Sequence, residues 1–137
     1  METPQHAFEP HVSEVQVRLT APSLMELFVE AGLALAELMA GGPPPPPTAE
    51  YETVTLHAPD RDALLVDWLN ELIYRAETDH RVFTRFQVEL IDDQHVVAGI
   101  QGADLPEMRT FVKAATFHGL NVTETEGGYS ATVVLDV

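Results

Sequence analysis

The sequence predicts an α+β fold with two helices packed on one face of a largely antiparallel sheet. Three observations predict it. Residues 24–38 and 60–78 repeat apolar side chains at helical spacing. Stretches before, between and after them alternate apolar and polar residues with the period of two of a half-buried strand. Most of those stretches follow the second helix instead of alternating with helices, which argues against parallel strand-helix-strand units.

Residues 1–7 are polar and expected to fray. In residues 8–19, Val15, Val17 and Leu19 alternate with Glu14, Gln16 and Arg18, and Pro10 stiffens the entry. Ser23 and Glu26 have capping-box spacing, and Leu24, Leu27, Phe28, Ala31, Leu35 and Leu38 make one apolar stripe. Gly41-Gly42 ends this helix. The five prolines at 43–47 cannot extend it, so residues 41–49 read as a stiff surface linker. A strand is expected at 51–57. Asp60 caps a second helix whose stripe is Leu64, Leu65, Trp68, Leu69, Leu72 and Ile73, with Asp67, Asn70, Glu71 and Arg75 on its outer face. This helix should stop near Thr78-Asp79. Residues 82–91, with Val82, Phe86, Val88 and Leu90 on one face, pair with 95–101 across the turn at Asp92-Asp93-Gln94. Residues 102–109 form a loop. Residues 111–122 read as a strand bent or bulged at Gly119, and Gly127-Gly128 turns into a closing strand with Tyr129, Ala131, Val133, Leu135 and Val137 inward.

A chain of 137 residues with these elements is expected to form one domain. It has no cysteine, which excludes disulfides, thiolate metal sites and cysteine nucleophiles and suits the cytoplasm. The first residues lack the basic start and apolar run of a secretory signal, and no apolar run is long enough to span a membrane. The formal charge is −15, from 22 acidic residues against 7 lysines and arginines. Such a surface repels phosphate backbones and favours a basic protein partner or bound cations over direct nucleic-acid binding. Glycine-rich phosphate loops, paired-histidine zinc helices and nucleophile elbows are missing, which argues against a self-contained enzyme.

Lys113 is the residue that does not fit its setting. In a regular strand it shares a face with Phe111, Ala115 and Phe117, while Val112, Ala114, Thr116 and His118 line the other. A lysine there snorkels, pairs with an acid, or carries chemistry. Two acids stand out elsewhere: Glu14, where loop becomes strand, and Asp136, on the polar face of the closing strand. Oxygen ligands suit a hard cation such as Ca²⁺ or Mg²⁺, and a terminal carboxylate on Val137 adds another oxygen.

Five segments then fall into a familiar order: His11-Val12-Ser13-Glu14, Ser23-Leu24-Met25-Glu26-Leu27-Phe28, Trp68-Leu69-Asn70-Glu71-Leu72, the nine residues from Val112 to Leu120, and Asp136-Val137. Together they resemble the archease family, small cytoplasmic activators of RtcB-type RNA ligases, over residues 8–137. Glu14 stands where the family has aspartate, Ser13 where it has alanine, and Phe117 where it has tyrosine. The resemblance implies an α+β fold related to strand-helix-strand-strand modules. It implies that the chain is not itself an enzyme but promotes guanylylation and multiple turnover of a partner ligase in tRNA splicing or RNA repair. It assigns partner activation to Glu14, Lys113 and Asp136, metal coordination to Glu14, Asp136 and Val137 with Ca²⁺ the expected ion, and support to His11 and His118. The competing expectations are a chaperone-like or general protein-interaction module with a divalent-metal site, and a metal-dependent enzyme.

Overall fold

Two helices form where the stripes predict them. The first, α1, spans Leu24–Ala40: Ser23 Oγ accepts from the Glu26 amide at 3.1 Å, and Gly41 closes the helix at φ 75° with its N–H on Glu37 O. Only half of the expected capping box forms, because Glu26 Oε2 is buried without a hydrogen-bond partner. The second, α2, spans Arg61–Asp79: Asp60 Oδ1 accepts from the Ala63 amide at 2.8 Å, and His80 ends the helix in the left-handed conformation. The computed structural model describes residues 3–11 and 13–137, apart from the side chains of Pro10 and His11.

The strands are Gln5–His11 (β1), Glu14–Ala21 (β2), Tyr51–His57 (β3), Arg81–Ile91 (β4), His95–Asp104 (β5), Ala114–Thr116 (β6), Thr123–Thr125 (β7) and Gly128–Asp136 (β8). Every pairing among the described residues is antiparallel. The expected single sheet is two. One has the order β1-β2-β8-β6, with β7 also on β8, and the other the order β3-β5-β4. Both helices reach both sheets: α1 packs on β1, β2, β4 and β8, and α2 on β3, β4 and β6. The core therefore lies between helices and two sheets. At its centre Trp68 meets Phe28 and Phe86, at ring-centre distances of 6.1 and 5.8 Å, and donates its indole N–H to Phe28 O at 2.9 Å.

Four expectations about elements need correction. Residues 5–7 do not fray: Gln5, His6 and Ala7 pair with Thr20, Leu19 and Arg18, so the strand expected to begin near Glu14 is the second arm of a hairpin. The His6 ring lies between the carboxylates of Glu30 and Glu37 on α1, which anchors β1 from outside its own ladder. Leu90 is not inward. A bulge between Val88 and Leu90 lets the strand gain a residue on its partner, so Leu90 opposes Val97 on the outer face and is half exposed. The loop at 102–109 starts later, because β5 continues through Asp104. The strand at 111–122 shortens to the three residues of β6. Gly119, at φ 67°, lies in a turn closed by the Leu120 amide on Phe117 O, so it ends the strand and does not bulge it.

Candidate functional site

The site residues meet at one end of the five-stranded sheet. There β1, β2, β8 and β6 run side by side, and register lines up one residue from each. His11 stands opposite Glu14, Glu14 opposite Asp136, and Asp136 opposite Ala114. Directly opposed residues of an antiparallel pair project to the same face, with Cβ atoms roughly 4.5–5.5 Å apart. Glu14 and Asp136, 122 positions apart in sequence, thus stand on the same face of neighbouring strands. Both are half buried. The backbone closes around them: the Lys113 amide donates to Asp136 O at 2.8 Å, and the Val137 amide to Ser13 O at 3.0 Å. The expected cluster of Glu14, Lys113, Asp136 and Val137 is therefore a neighbourhood, held together by main-chain bonds.

Lys113 itself departs from its expected setting. It is exposed and precedes β6. Val112 and Ala115, three positions apart, are the buried residues here, so the period of two fails between them. The cause lies upstream, where the Arg109 and Thr110 amides both bond to Met39 O at the end of α1 and hold this segment out of ladder geometry. Lys113 neither snorkels from a core face nor joins the ion pairs of the described residues, whose cations are arginines and histidines. Phe111 and Phe117, expected on its face, are both more than half exposed. His118 is exposed in the following turn, where its amide bonds Thr116 Oγ1 at 3.4 Å. The His11 side chain, expected as support, lies outside the described structure; only its backbone register is described.

Two residues that hold this site were missed as such. Asn70, expected on the outer face of α2, turns toward β6: its Oδ1 accepts the Ala115 amide at 2.8 Å and its Nδ2 donates to Ala115 O at 3.3 Å. It stands in for the strand that β6 lacks on that side. Asp62, in the first turn of α2, accepts the Val122 amide at 2.8 Å and fixes the chain between β6 and β7. Asn70 gave no local signal of this role, because a polar residue on the outer face of an amphipathic helix is ordinary. Asp62 gave none beyond a favourable charge near a helix start.

Two carboxylates opposed across a ladder, with Val137 main-chain oxygen beside them, offer oxygen only, which fits a hard cation such as Ca²⁺. Like charges in that position repel, and a shared cation removes the repulsion. Glutamate at position 14 keeps both oxygens on a longer arm.

The profile of the Archease protein family (MTH1598/TM1083) matches residues 6–137. A protein archease of Methanosarcina mazei is 31% identical, with 97% of this chain and 96% of that protein covered. One from Methanothermobacter thermautotrophicus is 33% identical, over 83% and 85% of the two chains. The solution structure of Methanobacterium thermoautotrophicum protein 1598 superposes with a TM-score of 0.74 at 28% identity, covering 96% of this chain and 98% of that one. A Thermotoga maritima crystal structure, described as an archease and possible chaperone, shares the fold with a TM-score of 0.66 at 18% identity, over 97% and 99%.

Proposed function

Because the chain belongs to the archease family, we propose that it is a cytoplasmic protein cofactor that activates an RtcB-type RNA ligase. In this reading it promotes the ligase's guanylylation and multiple turnover in tRNA splicing or RNA repair. The observation that carries the reading is the row across the sheet end: Glu14 opposite Asp136, with the Lys113 amide on the carbonyl of Asp136. Three residues far apart in sequence converge where four strands end. None of them is needed for the core, since Lys113 is exposed and both acids lie on the polar sides of their strands.

Each residue has a role in this reading. Glu14 and Asp136, with main-chain oxygen of Val137, hold a divalent cation, Ca²⁺ by the chemistry of the donors. When bound, that ion supplies positive charge between the two carboxylates. Lys113, free in solvent beside the row, meets a phosphate or carboxylate of the docked partner. His118 in the adjoining turn and His11 opposite Glu14 support the row. The net charge of −15 speeds encounter with the basic face of an RNA-handling enzyme and disfavours RNA as a direct ligand. The order β3, α2, β4, β5 is strand, helix, strand, strand, and we assign the family's module to it. No helix of the described residues is long and apolar enough to cross a membrane.

The test is ligation by the cognate ligase under single- and multiple-turnover conditions, with and without the protein. Wild type should raise guanylylation and restore turnover, whereas Glu14→Ala, Lys113→Ala and Asp136→Ala should each abolish most of the stimulation. If all three stimulated like wild type, the mechanism would be wrong. The exposed side chains of Phe111, Phe117 and Tyr74 favour a second reading, a chaperone-like interaction module. It predicts binding to several partners with no change in guanylylation.

A further inference from the structure

The outer face of the three-stranded sheet carries a histidine pair that the ligase reading does not use. His57 on β3 and His95 on β5 are directly opposed in the ladder, and both are exposed. Their ring centres lie 4.8 Å apart with planes inclined at 40°. That spacing suits two imidazoles sharing one metal ion. A metal–nitrogen bond of about 2.1 Å plus roughly 1.1 Å to the ring centre sets each centre ~3.2 Å from the ion, and ligand angles from square to tetrahedral then separate the two centres by ~4.5–5.2 Å.

A neighbouring carboxylate prepares one of the two ligands. The His95 ring donates from Nδ1 to Asp92, whose oxygens lie at 3.0 and 3.3 Å. A carboxylate only accepts, so the proton sits on Nδ1 and the lone pair on Nε2, as in carboxylate–histidine–metal arrangements. Asp92 is itself fixed, because its Oδ1 accepts the amides of Gln94 and His95 at 2.8 Å each. The turn between β4 and β5 thus sets the tautomer and orientation of the His95 ring.

We propose that His57 and His95 form a two-imidazole site for a borderline transition cation, Zn²⁺ or its neighbours Ni²⁺ and Cu²⁺, with Asp92 as the positioning residue. Imidazole donors select these ions over Ca²⁺ and Mg²⁺, so the site differs in chemistry as well as in place from the Glu14–Asp136 row. Among the described residues no group of three or more His, Cys, Asp or Glu gathers to hold a metal. The remaining positions on the ion therefore belong to water or an incoming ligand, and the site is open, unlike a closed structural zinc site. Bound metal ties β3 to β5 and stabilises the folded protein.

The experiment is calorimetric titration of the full chain, free of any affinity tag, with ZnCl₂. It is paired with imidazole NMR of the wild-type protein. Expected are one equivalent of Zn²⁺ bound, perturbed ring resonances of His57 and His95, a tenfold or greater weakening in His57→Gln and in His95→Gln, and about a tenfold weakening in Asp92→Asn. His80→Gln should bind like wild type. The proposal is overturned if wild type binds no Zn²⁺, if the two histidine substitutions leave binding unchanged, or if other histidine rings respond in their place. The wild-type NMR arm decides the matter even if a variant fails to fold. Ligase stimulation does not enter the readout, so failure here and failure of the ligase reading are separate results.

Discussion

Asn70→Ala tests how β6, and with it the Lys113 end of the site, is held. β6 has three residues and one flanking strand, β8. On its other side, among the described residues, the Ala115 N–H and C=O find only the Asn70 side chain, at 2.8 and 3.3 Å. Alanine removes both bonds and leaves the Ala115 N–H facing α2 with no acceptor. An unsatisfied buried donor costs about 1–3 kcal/mol, and the longer second bond adds less, so the expected loss is about 2 kcal/mol. For urea unfolding that loss lowers the midpoint by roughly 1 M, taking about 2 kcal/mol per M as the slope for a domain of this size. Amide exchange gives the local readout: Ala115 should exchange roughly 30-fold faster, since each ~1.4 kcal/mol is a factor of ten. Asn70→Asp keeps the acceptor and loses the donor, so it should fall between alanine and wild type. A midpoint within about 0.2 M of wild type, with unchanged exchange at Ala115, would refute the claim that Asn70 replaces a missing strand.

Two further perturbations probe the packing of α1 against the two sheets. Gly32→Ala should destabilise by about 1–3 kcal/mol although alanine is the better helix former by about 1 kcal/mol, because the new Cβ would lie 2.5 Å from Cζ of Phe86; a stabilised variant in thermal melts would show that Phe86 moves aside freely. His6 makes β1 docking depend on pH. Burial lowers its pKa, but the hydrogen bonds and charges of Glu30 and Glu37 outweigh burial and raise it above the ordinary value of 6.5. A raised folded-state value means that the contribution is complete below the unfolded-state pKa and fades as pH rises through the folded-state one. Stability of wild type relative to His6→Gln should therefore shrink as pH rises above about 6.5, and parallel pH profiles in chemical denaturation would contradict this.

Local chemistry made much of the fold legible. Ser23 and Asp60 mark helix starts because their oxygens satisfy free amides, and Gly41 marks an end because it tolerates the left-handed conformation. The stripes of α1 and α2 and the inward residues Ala131, Val133 and Leu135 of β8 were readable because burial follows period. What failed were features whose cause lies outside the segment. Leu90 followed the alternation of its strand until a bulge against β5 reversed it. Lys113 was assigned to a strand face, but its segment is tied to Met39 at the end of α1. Asn70 was given to solvent because nothing local reveals the open side of β6.

The site divides in the same way. The sequence alone determined the acidic character of the chain, the oxygen chemistry of Glu14 and Asp136, and, through five segments in order, the resemblance to a family that the comparisons then bore out. Tertiary structure alone decided that the single sheet is two, that residues 5–11 are a paired strand, and that Glu14 stands opposite Asp136 with the Lys113 amide on its carbonyl. The physical reason is range. Capping, periodicity and charge act between residues a few positions apart and are written in the chain. Strand register joins positions more than a hundred residues apart, and it is set by which hydrophobic faces bury together, a property of the whole packed molecule.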